Sequence, residues 1–448
     1  MYRKDSIIIE EWLKRSDKAL LVTGARQIGK TWLIREEIAK SGYCKFEVNF
    51  IDQPDLVDYL NVKMSANEFL VKLKMIMPED CKPQETVVFF DEIQKCPEIV
   101  TKIKFLVEEG SFKYVMSGSL LGVELKGITS VPVGYLTVLR MYPMDFEEFM
   151  IANNVSKTTL EMLKAKFETC QPVDEFIHQK LLSLFFIYLI VGGMPDAVKI
   201  YIATKDIREV DKVQRDIVAL YKEDLSQYES EDKKLKLISI YDIIPAELNK
   251  QNKKFVFTML NKELKFDRYE NSFLWLKDAG VALPVYNVEA PVIPLKASKS
   301  SNVFRLFSND TGLLTSAYPA ETKLELINKN SEVNNGAHFE NAVAQQLTAN
   351  GLEPYFCKKK NIGELDVLVE MDGKVVPIEV KSGKAYKAHK SLDNFMKISD
   401  YHIEKAYVLS VANMEQEGAV VYLPIYMCYL LKERKIGKLI VNLDMEGL

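Results

Sequence analysis

The chain is poor in ordered metal-binding side chains. Its 448 residues hold four histidines and six cysteines (Cys44, Cys81, Cys96, Cys170, Cys357 and Cys428), with no CxxC pair. That argues against a zinc site or a disulfide framework and for reduced thiols. A membrane-length apolar run is also missing. The most apolar stretch, LLSLFFIYLIV from Leu181, is too short for a bilayer and reads as a buried helix. The opening MYRKDSIIIEEW lacks the apolar core of a signal peptide, so a cytoplasmic protein without membrane contact is expected. Neither charge sign dominates: 59 Lys+Arg against 63 Asp+Glu leave a net charge of −4. Nucleic-acid binding over the whole surface is thereby excluded, and any such contact must use local patches. There is no repeat, heptad array or low-complexity tract. What is present is a globular composition, 48% hydrophobic and 27% charged, in a chain too long for one ordinary core. Two or three domains are expected.

The sharpest pattern is G-A-R-Q-I-G-K-T at Gly24, Ala25, Arg26, Gln27, Ile28, Gly29, Lys30 and Thr31. ALLVTG before it reads as a buried strand, and KTWLIREEIAK after it as a helix. Such a loop turns its backbone amides around an anion at a helix N-terminus. Lys30 then reaches the β- and γ-phosphates of ATP, and Thr31 offers its hydroxyl to Mg²⁺. A chance strand-turn-helix match is the competing reading. ETVVFFDEIQKCPE weakens it, because a strand ending in Asp91-Glu92 supplies one carboxylate for Mg²⁺ and one for the attacking water. A third strand, KYVMSGSLLG, ends in Ser117 and Ser119, either of which can sense a γ-phosphate; Ser119 is counted with the nucleotide-binding set. A serine after a strand is otherwise an ordinary turn residue.

LLVTGARQIGKTWLI, FFDEIQKCPEI, SGSLLG and YPMDFEEFM together resemble the prokaryotic AAA-like P-loop ATPases that carry an uncharacterised C-terminal domain. YLIVGGMPDAV, LSQYES, IIPAELN, FRLFSNDTGLL and HFENAVAQQL extend the resemblance over nearly the whole chain. It implies an α/β AAA-like ATPase core over residues 1–155, and the ring assemblies common in such proteins make a homo-oligomer an open expectation. The chain departs from the family at Gly134-Tyr135, where a Gly-Arg or Gly-Lys often stands, so no arginine finger is evident there. Arg140 is close by, but a lone arginine at a strand end is commonly a surface residue.

Residues 156–325 read as a helical and winged-helix middle. Helical spacing from Thr158 to Val191 resembles the lid of AAA-type proteins and breaks at Gly192-Gly193. From Lys254 the order is helix, turn, helix (Arg268–Asp278), Gly280, strand, which suits a winged helix. The second helix mixes Asp267, Arg268, Glu270, Lys277 and Asp278, an unsuitable face for a DNA groove. PLKASKSSN, from Pro294, reads as a wing or a linker.

Residues 330–448 hold the second chemical signal, GELDVLVEMDGKVVPIEVKSGK, a hairpin turning at Asp372-Gly373. Alternation puts Asp366 on the face of Glu364 and Leu368, and Glu379 with Lys381 on one face. Glu340 sits on a helix upstream. This order resembles the restriction-endonuclease-like superfamily, which implies an α/β C-terminal domain of that fold. Asp366 and Glu379 would hold a divalent cation, with Glu340 completing its shell or supporting it from behind, and Lys381 would orient or help deprotonate the attacking water or stabilise the pentavalent phosphate. A salt-bridged strand on a solvated face is the plain alternative. Lys358, Lys359, Lys360, Lys384, Lys387 and Lys390 offer a local basic patch for DNA or RNA. The expectation is an ATPase whose nucleotide state controls nucleic-acid engagement and phosphodiester cleavage. The alternative is a nucleotide-dependent switch or assembly protein with an inactive nuclease-like unit.

Overall fold

The computed structural model describes residues 1–119, 134–227, 231–250, 270–328, 335–360 and 362–434. Strands β1 (Ala19–Thr23), β2 (Cys44–Asn49), β3 (Thr86–Asp91), β4 (Lys113–Gly118) and β5 (Leu136–Arg140) form a sheet in the order β2-β3-β4-β1-β5. Every pairing is parallel. The apolar runs of β1, β3 and β4 are buried on both faces, as parallel strands between helices must be. Leu21, Val88, Phe90 and Met116 face the helices Ala66–Ile76 and Glu98–Glu109. The opposite face, with Leu20, Val22, Val87, Phe89 and Val115, belongs to a core that runs on into the rest of the chain.

Because the strands run one way, their carboxyl ends share one edge. The register there is Val22 with Ser117, Thr23 with Gly118, and Asn49 with Asp91. The loop after β1, the Asp91-Glu92 pair and Ser119 therefore arrive together, although up to about a hundred residues separate them in sequence. Ligands of open α/β sheets sit at this kind of edge.

The helical segment expected from Thr158 to Val191 consists of two helices, Lys157–Thr169 and Glu175–Val191. Pro195–Thr204, Ile207–Gln227 and Glu231–Leu248 follow. The first helix expected in a winged helix falls within 251–269, outside the described residues. Its second helix is described as Glu270–Asp278, and Gly280 follows with φ +73°. PLKASKSSN forms a short 3-10 turn, Leu295–Ser298, and then enters a strand.

The second sheet has eight strands: β6 (Ala282–Val288), β7 (Lys299–Ser308), β8 (Tyr355–Lys359), β9 (Gly363–Met371), β10 (Lys374–Val380), β11 (Ala406–Ser410), β12 (Glu415–Glu417) and β13 (Val420–Pro424). Their order is β12-β13-β11-β10-β9-β8-β6-β7. The hairpin β9–β10 turns at Asp372-Gly373, both at positive φ, which matches the strand twist. A boundary between 325 and 330 cuts through this sheet, because β6 lies beside β8 with Tyr286 opposite Tyr355. The middle and the C-terminal part are thus joined by backbone hydrogen bonds as well as by a shared core.

One buried carboxylate ties three segments together. Asp310 accepts the Gly193 N–H at 2.6 Å and caps the helix Thr311–Ser316 through the Leu313 N–H at 2.9 Å. Gln345 accepts the Thr311 N–H at 2.9 Å. A Cβ at Gly193 would lie 2.0 Å from the Met144 carbonyl oxygen, so only glycine fits. VGGMPD, SNDTGLL and AVAQQL are therefore one structural knot.

Candidate nucleotide site and a second acid cluster

Gly24 leaves β1 at φ +138°, and a Cβ there would come within 2.4 Å of the Met141 carbonyl oxygen. Gly29, also left-handed at φ +89°, precedes the helix Lys30–Ser41. Lys30 is buried, and its ammonium donates to the loop's own carbonyls, Gly24 at 2.9 Å and Ala25 at 2.8 Å. Burial pushes its pKa down to about 8, against the pull of Glu92 and Asp91. The Thr31 hydroxyl donates to the Asp91 carboxylate at 3.0 Å. Ser117 also donates to Asp91, and the Asn49 amide lies 3.3 Å from it. Burial still raises the Asp91 pKa. Glu92 adopts a left-handed conformation at φ +57° and accepts from the Gln94 amide.

These groups border a cleft of about 540 Å³ that Arg26, Lys30, Thr31 and Glu92 line together with Pro195 and Lys199 of the middle helices. A volume of this size takes an ordinary small-molecule ligand. Of the two serines, Ser117 touches Asp91, while Ser119 is buried with its hydroxyl 3.4 Å from Arg26 Nε. Arg140 is partly buried and engaged. Its guanidinium lies over the Tyr142 ring and donates to the Lys277 carbonyl at 2.6 Å, tying the sheet to the helix Glu270–Asp278.

Two side chains at this site carried no signal in the sequence. Asp224, on the helix Ile207–Gln227, pairs with Arg26 at 2.7 Å, and the Tyr221 hydroxyl donates to the Arg26 carbonyl at 3.1 Å. In the sequence Asp224 was one acid within a charged helix. Nothing local marked it as facing the loop some two hundred residues earlier.

In the second sheet, Asp366 accepts the Val380 N–H at 3.0 Å. Continuing the β9–β10 register past Ile378 and Val367 sets Asp366 opposite Glu379. Lys381 donates to Glu379 Oε1 at 2.8 Å, while Oε2 is buried without a hydrogen-bond partner. Burial first, then the Asp366 charge, push the Glu379 carboxyl up to about 7.

Glu340 has an internal partner. Its buried carboxylate pairs with Arg305 at 3.3 Å, and the same guanidinium pairs with Glu364, donates to the Asp366 carbonyl and lies over the Phe356 ring. An internal cation thus occupies Glu340, and sequence reasoning missed it because Arg305 comes from FRLF, well outside the acidic motif. The basic patch is partly spent as well: Lys358 pairs with Glu364, Lys359 donates to the Tyr401 hydroxyl, and Lys387 pairs with Glu415 and Glu417. Among the described residues, the group of three ligand-type side chains with all ligand atoms within 4.8 Å is Cys44, Asp80 and Cys81. Two of the cysteines are therefore not scattered, since their sulfurs lie 3.3 Å apart.

Residues 16–150 match the family model of an AAA domain. This segment is therefore similar to AAA domains. Residues 182–324 and 335–427 match two domains of unknown function, DUF8612 and DUF4143. Among solved structures, the chain is similar to the Walker-type ATPase of Pyrococcus abyssi at 13% identity, covering 70% of this chain and 95% of that one with a TM-score of 0.39. It is also similar to the RuvB Holliday junction branch migration motor of Thermotoga maritima (13% identity, 63% and 89% covered, TM-score 0.30). A third is AMPPCP-bound DnaA from Aquifex aeolicus (10% identity, 62% and 89% covered, TM-score 0.31). No curated protein matches the chain. Among the described residues no helix is long and apolar enough to cross a membrane.

Proposed function

We propose that the protein is a Mg²⁺-dependent ATPase whose nucleotide state governs how its C-terminal part engages DNA or RNA. The observation that carries this reading is the convergence of Lys30, Thr31 and Glu92 on one cleft at the strand ends, with the buried Asp91 hydrogen-bonded to Thr31. Thr31 and Asp91 fit a hard divalent cation, since a hydroxyl and a buried carboxylate already lie 3.0 Å apart. Bound Mg²⁺ supplies charge neutralisation on the phosphates. Lys30 exchanges the Gly24 and Ala25 carbonyls for phosphate oxygens, a stronger charge-assisted contact. Glu92 orients the attacking water.

In the C-terminal part, Asp366 and Glu379 are the residues that would hold a second divalent cation. The orphaned Glu379 Oε2 supports this, because a buried oxygen without a donor suits a metal ligand. Lys381 would hold a water or a phosphate oxygen, and cleavage of a phosphodiester would follow. One observation favours the rival reading of a nuclease-like unit that binds without cutting: Arg305 already neutralises Glu340.

Cleavage of linear, branched and single-stranded DNA and of RNA, with Mg²⁺ or Mn²⁺ and with and without ATP, separates the two. Cleavage lost in Asp366→Ala and altered by Lys30→Ala supports an ATP-gated nuclease. ATP turnover with no cleavage of any substrate supports the switch.

A further inference from the structure

The ion pair between Arg26 and Asp224 joins the phosphate loop to the middle helices at the one loop side chain that faces both ways. Arg26 lines the nucleotide cleft, and it also lines a small cavity of about 10 Å³ bordered by Ser119, Tyr221, Asp224, Trp275 and Val281. That cavity is close to the space one water needs. On the loop side, the Arg26 backbone is held by the Tyr221 hydroxyl at 3.1 Å. The turn after the helix Glu270–Asp278 presses on the same loop, with a Cβ at Gly280 only 3.2 Å from the Ala25 nitrogen. Trp275, from that helix, buries an indole N–H that has no hydrogen-bond partner.

We propose that Arg26 and Asp224 form a γ-phosphate-sensitive latch: bound ATP draws the Arg26 guanidinium away from Asp224, and the freed carboxylate takes the Trp275 N–H. This rests on the reading that the loop binds ATP. Arginine binds a phosphate through a planar fork of donors, so a triphosphate competes well against a single carboxylate. The carboxylate cannot stay buried and unpaired, and the indole donor lies on the same cavity. Arg26 and Asp224 thus have partners in both states, the Trp275 N–H gains one only in the ATP-bound state, and the γ-phosphate is the group that discriminates between them. The consequence is mechanical. Asp224 belongs to the helix Ile207–Gln227, and Trp275 to the helix that leads into β6 of the second sheet. A change of partner at Asp224 thus bears on both elements that lie between the loop and the C-terminal sheet. Asp224 acts here as a positioning residue.

The test measures binding of a non-hydrolysable ATP analogue and of ADP, with Mg²⁺, to the full chain by calorimetry. Asp224→Asn removes the competitor for Arg26, so affinity for the analogue rises about ten-fold while ADP affinity stays within about two-fold. Arg26→Gln, on the more exposed partner, lowers analogue affinity by about ten-fold, and in that background Asp224→Asn has no further effect. Hydrogen exchange over 207–227 increases with the analogue but not with ADP in the wild type, and is already increased in Asp224→Asn. Asp224→Asn changing analogue and ADP affinity alike, in a wild type that binds both, overturns the latch and leaves the nucleotide site standing. A wild type that binds neither nucleotide removes the reading beneath the latch. If Asp224→Asn does not fold, Arg26→Gln decides alone: unchanged discrimination between analogue and ADP rejects the proposal.

Discussion

Among the buried cations of the described residues, Arg305 and Lys30 have opposite surroundings. Arg305 is 2% exposed, and Lys30 is 7% exposed. Arg305 meets two carboxylates, a carbonyl and an aromatic ring, and the charges of Glu340, Asp366 and Glu364 raise its pKa against burial. Lys30 meets only two carbonyls of its own loop, and burial lowers its pKa to about 8. A cation with partners is a piece of architecture. One that is hydrogen-bonded to carbonyls, with Glu92 and Asp91 acting at longer range, is the kind of group the proposed phosphate ligand would pair.

Substituting both residues by methionine sharpens the contrast. Arg305→Met takes the Arg305 charge away from the buried Glu340, while Glu364 keeps Lys358, and should cost about 3–5 kcal/mol. Chemical denaturation would measure it. Lys30→Met should move apo stability the other way. The folded pKa of about 8 lies below the ordinary 10.5, so the unfolded chain binds the extra proton between those values and stability rises with pH through that window. Below pH 8 the buried charge therefore costs the fold, and its removal should return about 2 kcal/mol. The same variant should lose about 100-fold or more in ATP affinity. Equal destabilisation by the two substitutions would break the comparison.

The acids of the two sites extend it. The Glu379 carboxyl is pushed up to about 7 from an ordinary 4.5 by burial first and Asp366 second. The folded state then binds the extra proton between those values, and stability falls as pH rises through the window. Glu379→Gln should remove about 2 kcal/mol of that fall between pH 4.5 and 8. Melting temperatures of both proteins at the two pH values would show it, and Asp310 and Glu148, which have raised pKa values as well, cancel in the difference. Mg²⁺ should raise the melting temperature of wild type at pH 8 by more than that of Glu379→Gln. An equal rise in both would argue against a cation at Glu379.

What the sequence made legible follows the same division. The phosphate loop could be read because Gly24 to Thr31 are contiguous and each residue type answers a local demand, a turn or a helix start. Asp91-Glu92 could be read because an apolar strand points at it. The β9–β10 hairpin was legible from Asp372-Gly373 for the same reason. Arg305, Asp224 and Trp275 were not, because what gives them meaning is a neighbour brought close by folding. The motif VGGMPD could be seen but not interpreted until Asp310 was found against the Gly193 N–H. The pairing of β6 with β8 across the boundary near 330 was hidden on similar grounds, since it joins segments separated by more than sixty residues.

Arg140 supplies the smallest and most discriminating of these tests. Its position near the missing Gly-Arg made it a candidate for a charge acting on a neighbouring subunit's nucleotide. In the structure its Nη2 donates to the Lys277 carbonyl at the end of the helix Glu270–Asp278, where a cation also suits the helix dipole. A tether of this kind should contribute about 1 kcal/mol to stability. Arg140→Ala should then lower the melting temperature slightly and leave kcat for ATP within about two-fold, whereas an arginine finger would cost about 1,000-fold or more. The ATPase rate measured across protein concentration distinguishes the two, because a residue acting between subunits changes the rate only where subunits meet. A large loss of kcat at every concentration would instead place Arg140 on its own nucleotide, and its bond to Lys277 would then be the resting position of a residue that moves.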